Sequence, residues 1–477
     1  MAPEVAGRPR AALVVLCFVQ FMLILDDNVV SVALPSLRDE LGFSDSGLAW
    51  VVNAYFLTFG GLLLLAGRAA DLLGRRRVFL VGVALFGAAS LACGLAQEPW
   101  QLVAGRFVQG GGAAMAAPTA LSLITLLFPG AEERTRALGV WGAVAALGGT
   151  SGLVISGVLT DLISWRWIFL INLPVAAVAL ALLPRLVAES RATRRPRLDV
   201  PGALLSTTAV LSLVYGLLQA RESGWADVVV IAPLLLAAVL AAGFLAVESR
   251  AAEPLVPMSF LAHRTRAVAN SATLLFSVAM YAMAYLLMIH LQTVLGYSPL
   301  QAGIAYLPYG AGILAGMWLS ARALTRLGMR WALVLAFLVS AAGLLMLSGV
   351  AAGDPYATGV LPGMLVTSLG CGLSLPVLTA AGVTGTTEEN AGLGSALFTS
   401  VQQVGGAVGI AVLVTVSARH SDSRTGSPGA ATEGFAFALT IAAALVVLGA
   451  LLIGALLRVR RSVSASDPTR QTPARHG

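Results

Sequence analysis

The sequence predicts an all-α membrane protein that crosses the bilayer fourteen times. Three observations carry this. The 477 residues are 58% hydrophobic and only 11% charged, with mean hydropathy +0.86. A soluble chain of that length needs several polar-surfaced domains, and too few polar groups are present to cover them. The apolar residues fall into fourteen stretches, each near the ~20 residues needed for a helix to span the hydrocarbon. Finally, the basic residues alternate in density from loop to loop. In the bilayer every backbone polar group must be satisfied within its own segment, so these stretches read as helices.

The expected spans are 11–34, 48–66, 78–96, 101–128, 137–160, 166–188, 200–219, 228–247, 267–294, 301–320, 331–350, 359–384, 393–417 and 433–457. The first could pass for a cleaved leader, since Arg8 and Arg10 precede the apolar run Ala11–Leu25. Asp26 and Asp27 stand where a small-residue cleavage site belongs, so a retained span is expected. Of the 30 basic residues, Arg38, Arg166, Arg221, Arg419 and Arg424 fall on one side and Arg106 inside a span. The other 24 lie on the side of the chain termini. The positive-inside rule then places both termini in the cytoplasm, which implies a multi-pass cell-membrane protein. The net charge of +7 is thereby explained by topology, and no nucleic-acid partner is implied.

The chain repeats at an offset of 254. Leu41-Gly42-Phe43-Ser44 recurs as Leu295-Gly296-Tyr297-Ser298, and Gly74 recurs as Gly328. Spans 1–6 and 9–14 are therefore expected to be equivalent halves with spans 7–8 inserted. The domain reading is a cytoplasmic N-terminus at 1–10 and a first six-helix bundle at 11–188. A linker with two additional helices follows at 189–266, then a second bundle at 267–457 and a cytoplasmic tail at 458–477. Repeats of this kind are common in transporters, with the substrate site between them near the midplane.

Several chemistries are excluded by what is missing. Cys17, Cys93 and Cys371 lie singly in apolar stretches, and the four His are scattered, so neither a disulfide framework nor a metal site is expected. No GxxxxGK[ST] phosphate loop is present. No nucleophile–base pairing suggests an enzyme. No cofactor and no obligatory protein partner are implied. The polar residues inside spans become the functional question, because a charge there is costly and normally meets a partner or a cavity. Asp26 and Asp27 share span 1 and point about 100° apart round the helix. Burial favours the neutral form of a carboxyl group, which is what a proton carrier requires. Arg106, early in span 4, keeps its charge and needs a carboxylate or carbonyl, unless it reaches the interface. Asn53, Tyr55, Gln109, Tyr281, Tyr285, His290, Gln292, Gln402 and Gln403 are candidate cavity residues. Each could equally make an interhelical hydrogen bond. Gly148, Gly152, Gly157, Gly405 and Gly409 suit close helix packing. Glu388 and Glu389 suit the N-terminus of span 13.

Between spans 2 and 3, Gly67-Arg68-Ala69-Ala70-Asp71-Leu72-Leu73-Gly74-Arg75-Arg76-Arg77 resembles the loop signature of the major facilitator superfamily. Two Gly suit a tight connection. Gly67, Asp71, Gly74 and Arg75 would form a breakable latch. Leu25-Asp26-Asp27-Asn28-Val29-Val30-Ser31-Val32-Ala33-Leu34-Pro35 resembles the first-helix signature of its fourteen-span drug–proton antiporters, with Asp26 at the acidic position. Asn28 stands where Thr is usual and Ser31 where Asn is. Arg106-Phe107-Val108-Gln109-Gly110-Gly111-Gly112 resembles the fourth-helix motif, whose Arg is linked to proton transfer. Gly148 to Gly157 matches the fifth-helix motif in position, but Leu153 replaces Pro and Ser156 replaces Gly, which removes the expected kink. Trp165-Arg166-Trp167-Ile168-Phe169-Leu170-Ile171-Asn172-Leu173-Pro174 is a strong marker of the same family, its Trp pair suiting an interfacial belt. Gln402 sits where Arg is expected.

This resemblance, over about residues 11–455, implies a major facilitator fold. It also implies efflux of hydrophobic, cationic or amphipathic drugs in exchange for protons, with Asp26, Arg106 and Asp27 as the proton-coupling group. Its partners would be a small-molecule substrate, protons and the lipid bilayer. A proton-uncoupled or metabolite-specific exporter is the alternative that the altered fifth-helix motif favours. A non-transporting receptor or scaffold is the alternative of another class.

Overall fold

The computed structural model describes residues 9–190, 199–251, 254, 263–382, 384, 391–423 and 429–457. Among them there is no strand. The helices run α1 (Pro9–Leu41), α2 (Asp45–Leu73), α3 (Arg75–Gly94), α4 (Pro99–Leu127), α5 (Ala131–Leu162), α6 (Trp167–Leu170) and α7 (Asn172–Leu186). Then follow α8 (Val200–Ser223), α9 (Val228–Arg250) and α10 (Arg264–Ile289), the last extended by a π-turn, His290–Val294. The remaining helices are α11 (Pro299–Ala305), α12 (Leu307–Ser348), α13 (Leu361–Gly382), α14 (Ala391–Asp422) and α15 (Ala430–Leu456), with a second π-turn at Tyr356–Val360. Glu388, Glu389 and the tail 458–477 lie outside the described residues.

Thirteen helical segments among the described residues are long and apolar enough to cross a bilayer. One of them, Pro299–Ser348, has 50 residues. At 1.5 Å per residue that is about 75 Å, more than twice the ~30 Å hydrocarbon core. Gly328 breaks its helical backbone with φ 72° and ψ 165°. The segment is therefore long enough to cross twice, which brings the described residues to about fourteen crossings.

The repeat read from sequence is visible as backbone punctuation. Gly42 and Gly296 both turn left-handed, with φ 72° and 69°. Two residues later Ser44 and Ser298 each accept a hydrogen bond from a backbone N–H and cap the next helix. Gly74 and Gly328 both have positive φ at the following reversal. The connection at Gly74 is a single residue between α2 and α3. Gly67 has no part in that turn: it lies inside α2 with open space where a side chain would be.

Within the N-terminal set, α1 packs on α5, and α4 on α2 and α3. Within the C-terminal set, α12 packs on α13, and α10 on α14 and α15. The inserted helices α8 and α9 pack together, and α8 touches both α2 and α14. Thr207 of α8 fills the space beside Gly61 of α2, and Arg419 of α14 donates to the carbonyl of Ala220 near the end of α8. The accessory pair thus lies across one seam between the two sets.

Candidate functional site

Four helices of the N-terminal set converge on Asp26. Small residues make the approach possible. A Cβ at Gly110 would lie 2.5 Å from the Tyr55 carbonyl, and one at Gly112 would lie 2.7 Å from Phe86 N. Glycine therefore seats α4 directly against α2 and α3. Arg106 Nη1 donates to Asp26 Oδ2 at 2.6 Å and to Gln109 Oε1 at 2.8 Å, while its Nε donates to the Val51 carbonyl at 3.0 Å. Gln109 Nε2 donates to Asp26 Oδ1 at 2.7 Å and to Ser90 Oγ at 2.9 Å. Asn172 Nδ2, from α7, donates to the same Oδ1 at 3.0 Å and to Ser90 Oγ at 3.3 Å. The Arg106 guanidinium lies 4.4 Å from the Tyr55 ring centroid. Asp26 and Arg106 are both 0% exposed, so Arg106 does not reach the interface. The carboxylate is fully supplied with donors, whereas Arg106 Nη2 has no partner. A buried pair of this kind depends on the hydrogen bonds that surround it.

Asp27 meets different partners. The Gln403 amide of α14 hydrogen-bonds its carboxylate. Asp27 Oδ1 and Gln403 Oε1 have no partner of their own. Around this pair, Phe56 of α2 meets Tyr281 of α10 edge-on, ring centroids 5.0 Å apart, and Tyr55 lies 6.2 Å from Phe56. Adjacent carboxylates thus have different surroundings. Asp26 is sealed within the N-terminal set, while Asp27 faces the C-terminal set through an amide and aromatic rings.

The other polar residues read as cavity candidates divide. Gln109 belongs to the Asp26 cluster, and Tyr55 lies beneath Arg106. Asn53 is buried with both side-chain polar atoms unpaired. Tyr285 is buried on α10, and Gln402 is half-buried beside Gln403. His290 is a correction: it is buried and stacked on Phe435 of α15 at 4.5 Å, inside the C-terminal set rather than in a wet cavity. Gln292 is half-buried, and its Nε2 donates to the Val32 carbonyl of α1 at 2.9 Å.

Gln292 belongs to a group of contacts between the sets near the ends remote from the termini. Ser298 Oγ donates to Asp161 Oδ2 at 2.9 Å. A Cβ at Gly157 would lie 2.7 Å from the Pro299 carbonyl, and one at Gly303 2.6 Å from the Leu153 carbonyl. Nearer the termini, Gly139 and Gly142 of the same helix α5 have open space beside them. Gly148 and Gly152 pack on Ile24 and Leu25 of α1, while Gly405 and Gly409 pack on Leu274, Ser277 and Val278 of α10. Ser156, the residue that replaces the expected Gly, donates to the Val29 carbonyl at 2.5 Å and ties α5 to α1.

Of the four residues read as a latch, Asp71 and Arg75 are in contact beside Gly74. Arg75 Nη2 and Nε donate to Asp71 Oδ1 at 2.8 and 3.0 Å. Sequence reasoning missed the third member, Glu189. Its carboxylate accepts from the backbone N–H groups of Arg76 and Arg77, both at 3.1 Å, and so caps the N-terminus of α3. A Cβ at Gly74 would lie 2.6 Å from Glu189 Oε1. The Trp pair is also corrected. Trp165 is 2% exposed and donates to Glu40 Oε2 at 2.7 Å, whereas Trp167 is 47% exposed. Arg166 pairs with the same Glu40. Only Trp167 suits an interfacial belt. Asn172 and Ser90 were likewise missed as members of the Asp26 cluster. A polar residue within a span was the available signal.

Two repeated helical sets around a mid-depth polar seam define a multi-pass membrane transporter, not an enzyme. Residues 16–410 match the family model described as Major Facilitator Superfamily, and the chain belongs to that superfamily. It is 40% identical to the puromycin resistance protein of Streptomyces alboniger, covering 97% of this chain and 94% of that one. It is 40% identical to the lincomycin resistance protein of Streptomyces lincolnensis, covering 87% and 86%. It is 38% identical to a cephamycin export protein of Amycolatopsis lactamdurans, covering 92% of each. Among solved structures, the inward-open xylose transporter of E. coli matches with TM-score 0.63 at 16% identity, covering 95% of this chain and 98% of that one. A bacterial homologue of the lysosomal transporter Spinster, inward-facing, matches with TM-score 0.67 at 16% identity, covering 95% and 97%. These two share the fold.

Proposed function

We propose that this protein exports hydrophobic, cationic or amphipathic antibiotics across the cell membrane in exchange for protons, with both termini in the cytoplasm. The observation that carries this is the division between Asp26 and Asp27. Asp26, with Arg106, Gln109, Asn172 and Ser90, is the proton site. Asp27, with Gln403, Phe56 and Tyr281, offers a cation one negative charge and aromatic faces. The names of the relatives, two of resistance and one of export, support export and resistance. Residues 11–188 and 267–457 act as two bundles that rock about this seam, and α8 and α9 are accessory.

In the described conformation Gln292 with Val32 and Ser298 with Asp161 join the sets at the ends remote from the termini, and Ser400 of α14 is tied to Gly60 of α2 deeper in the seam; the first two contacts support a state open to the cytoplasm. Substrate enters there, its cationic group reaches Asp27, and the proton leaves Asp26 to the inside. The ionised Asp26 re-forms its pair with Arg106 and the loaded protein rocks outward. A proton from outside neutralises Asp26, substrate leaves, and the protein returns. Contacts such as Gln292 with Val32 and Ser298 with Asp161 break during the outward step. The Asp71–Arg75 latch biases the cytoplasmic side.

The test is export of puromycin or lincomycin from proteoliposomes driven by an imposed pH gradient. Wild type should respond to the gradient, Asp26→Asn should not, and Asp27→Asn should lose substrate affinity. The altered fifth helix, with Leu153 and Ser156, favours a second reading as a proton-uncoupled exporter. Gradient-independent export by wild type and Asp26→Asn alike would establish that reading.

A further inference from the structure

The stretch Trp165–Asn172 marks the family without an assigned chemistry, and the structure gives it one. It grips α1 at two points. Trp165 and Arg166 hold Glu40, and Asn172 holds Asp26. These positions are fourteen residues apart, about 21 Å along the helix. We infer that Asn172 is a positioning residue whose amide follows the charge of Asp26, donating to the carboxylate and turning its oxygen to the protonated acid. This rests on the reading of Asp26 as the proton site.

The argument is one of donors and acceptors. An ionised carboxylate only accepts, so the Asn172 amide must present Nδ2 to it, as found at 3.0 Å. A protonated Asp26 carries an O–H and needs an acceptor. Arg106 has none to give. Gln109 has one, but its Oε1 already accepts from Arg106 Nη1 at 2.8 Å. Asn172 can exchange Oδ1 for Nδ2 by a half-turn of its terminal torsion, a broad two-fold rotor. Ser90 can follow, because its hydroxyl both donates and accepts. It now accepts from Asn172 Nδ2 at 3.3 Å and can donate to the turned Oδ1. Asn172 is thus the member of the cluster whose side chain can present a donor to the carboxylate and an acceptor to the acid. The titratable groups acting on Asp26 from the surrounding helices are Arg106 of α4, Tyr55 of α2, Cys93 of α3 and the neighbouring Asp27. None of these can make the same exchange of donor for acceptor in place.

The test reads Asp26 directly and needs no drug. The infrared band of the protonated carboxyl, assigned by its loss in Asp26→Asn, is titrated against pH in the purified full-length protein. In Asn172→Leu the band should move to higher frequency, because the acid has lost its acceptor. Its midpoint should move less than loss of the Nδ2 donor alone would move it, because the carboxylate has lost a donor and the acid an acceptor. Asn172→Ser keeps a small group that donates or accepts and should shift the frequency less in the same direction; it carries the test if Asn172→Leu does not fold. Unchanged frequency and midpoint in a folded Asn172 variant would overturn the inference. Absence of any pH-titrating band that Asp26→Asn removes would instead overturn the assignment of the proton to Asp26.

Discussion

The N-terminal and C-terminal sets share their punctuation and differ in their chemistry. Gly42 and Gly296 make the same left-handed turn, Ser44 and Ser298 cap the same helix start, and Gly74 and Gly328 reverse the chain at the same offset. Yet the offset that pairs these residues sets Met280 and Tyr281 against Asp26 and Asp27, and Thr325 and Met329 against Asp71 and Arg75. The buried Asp26–Arg106 pair and the Asp71–Arg75 pair belong to one set. The other meets it with Gln403, Tyr281 and a Gly-packed helix. Backbone turns are fixed by sterics and tolerate little change, so both copies keep them. Buried charge is costly, so one copy suffices to carry it.

The largest effect that could break this comparison lies in the ion pair. Asp26→Asn leaves Arg106 buried without its counter-charge, and truncating one partner of such a pair costs about 3–5 kcal/mol. Its thermal midpoint in detergent should fall steeply, as should that of Arg106→Gln. The double variant should recover much of the loss. Additive losses across this double-mutant cycle would show that the two residues do not act as a unit.

Asp27→Asn should behave oppositely. With the Gln403 amide as its hydrogen-bond partner and Arg106 bonded to Asp26 instead, it should fold as wild type. A cationic substrate should bind at least about tenfold more weakly, on the order of 1.4 kcal/mol, in equilibrium binding to purified protein. A neutral substrate bound unchanged by the same variant would sharpen the assignment; equal losses for both would contradict it.

Gly74→Ala and Gly328→Ala form a paired test of the two reversals. Both demand positive φ, which costs an ordinary residue roughly 1–2 kcal/mol. At Gly74 the new Cβ also strikes Glu189, whereas at Gly328 it meets open space. Gly74→Ala should therefore lower the thermal midpoint further, and it should also reduce transport. Equal effects would mean that Glu189 gives way freely.

The smallest effect separates the two caps. Ser44→Ala loses its capping bond, worth about 1 kcal/mol. Ser298→Ala loses the equivalent cap and also the bond to Asp161 across the seam. Beyond matching Ser44→Ala in stability, it should shift the population away from the described conformation. A change in the rate at which a cysteine introduced near Gly142 is labelled would report this.

Much of the fold was legible because bilayer crossing is written in long apolar runs and in Arg distribution. The Asp26–Arg106 pair was also legible, since two opposite charges within spans need each other. Asn172, Ser90 and Glu189 were not, because a hydrogen bond between different helices, such as Asn172 to Asp26, Asn172 to Ser90 or Glu189 to Arg76, depends on packing that no local pattern encodes. His290 misled for a related reason. A polar side chain within a span suggests a cavity, but a ring can instead stack, as His290 does on Phe435. Trp165 did the same: a Trp near a span end suggests the interface, yet it is buried because Glu40 accepts its N–H.

The central claim is that drug and proton compete through Asp26, and the most direct measurement is proton release from purified, unbuffered protein on adding puromycin or lincomycin. Wild type should release protons in proportion to drug bound, and Asp26→Asn should bind without release. Equal release from both proteins, or drug binding by wild type with no release at all, would contradict the account.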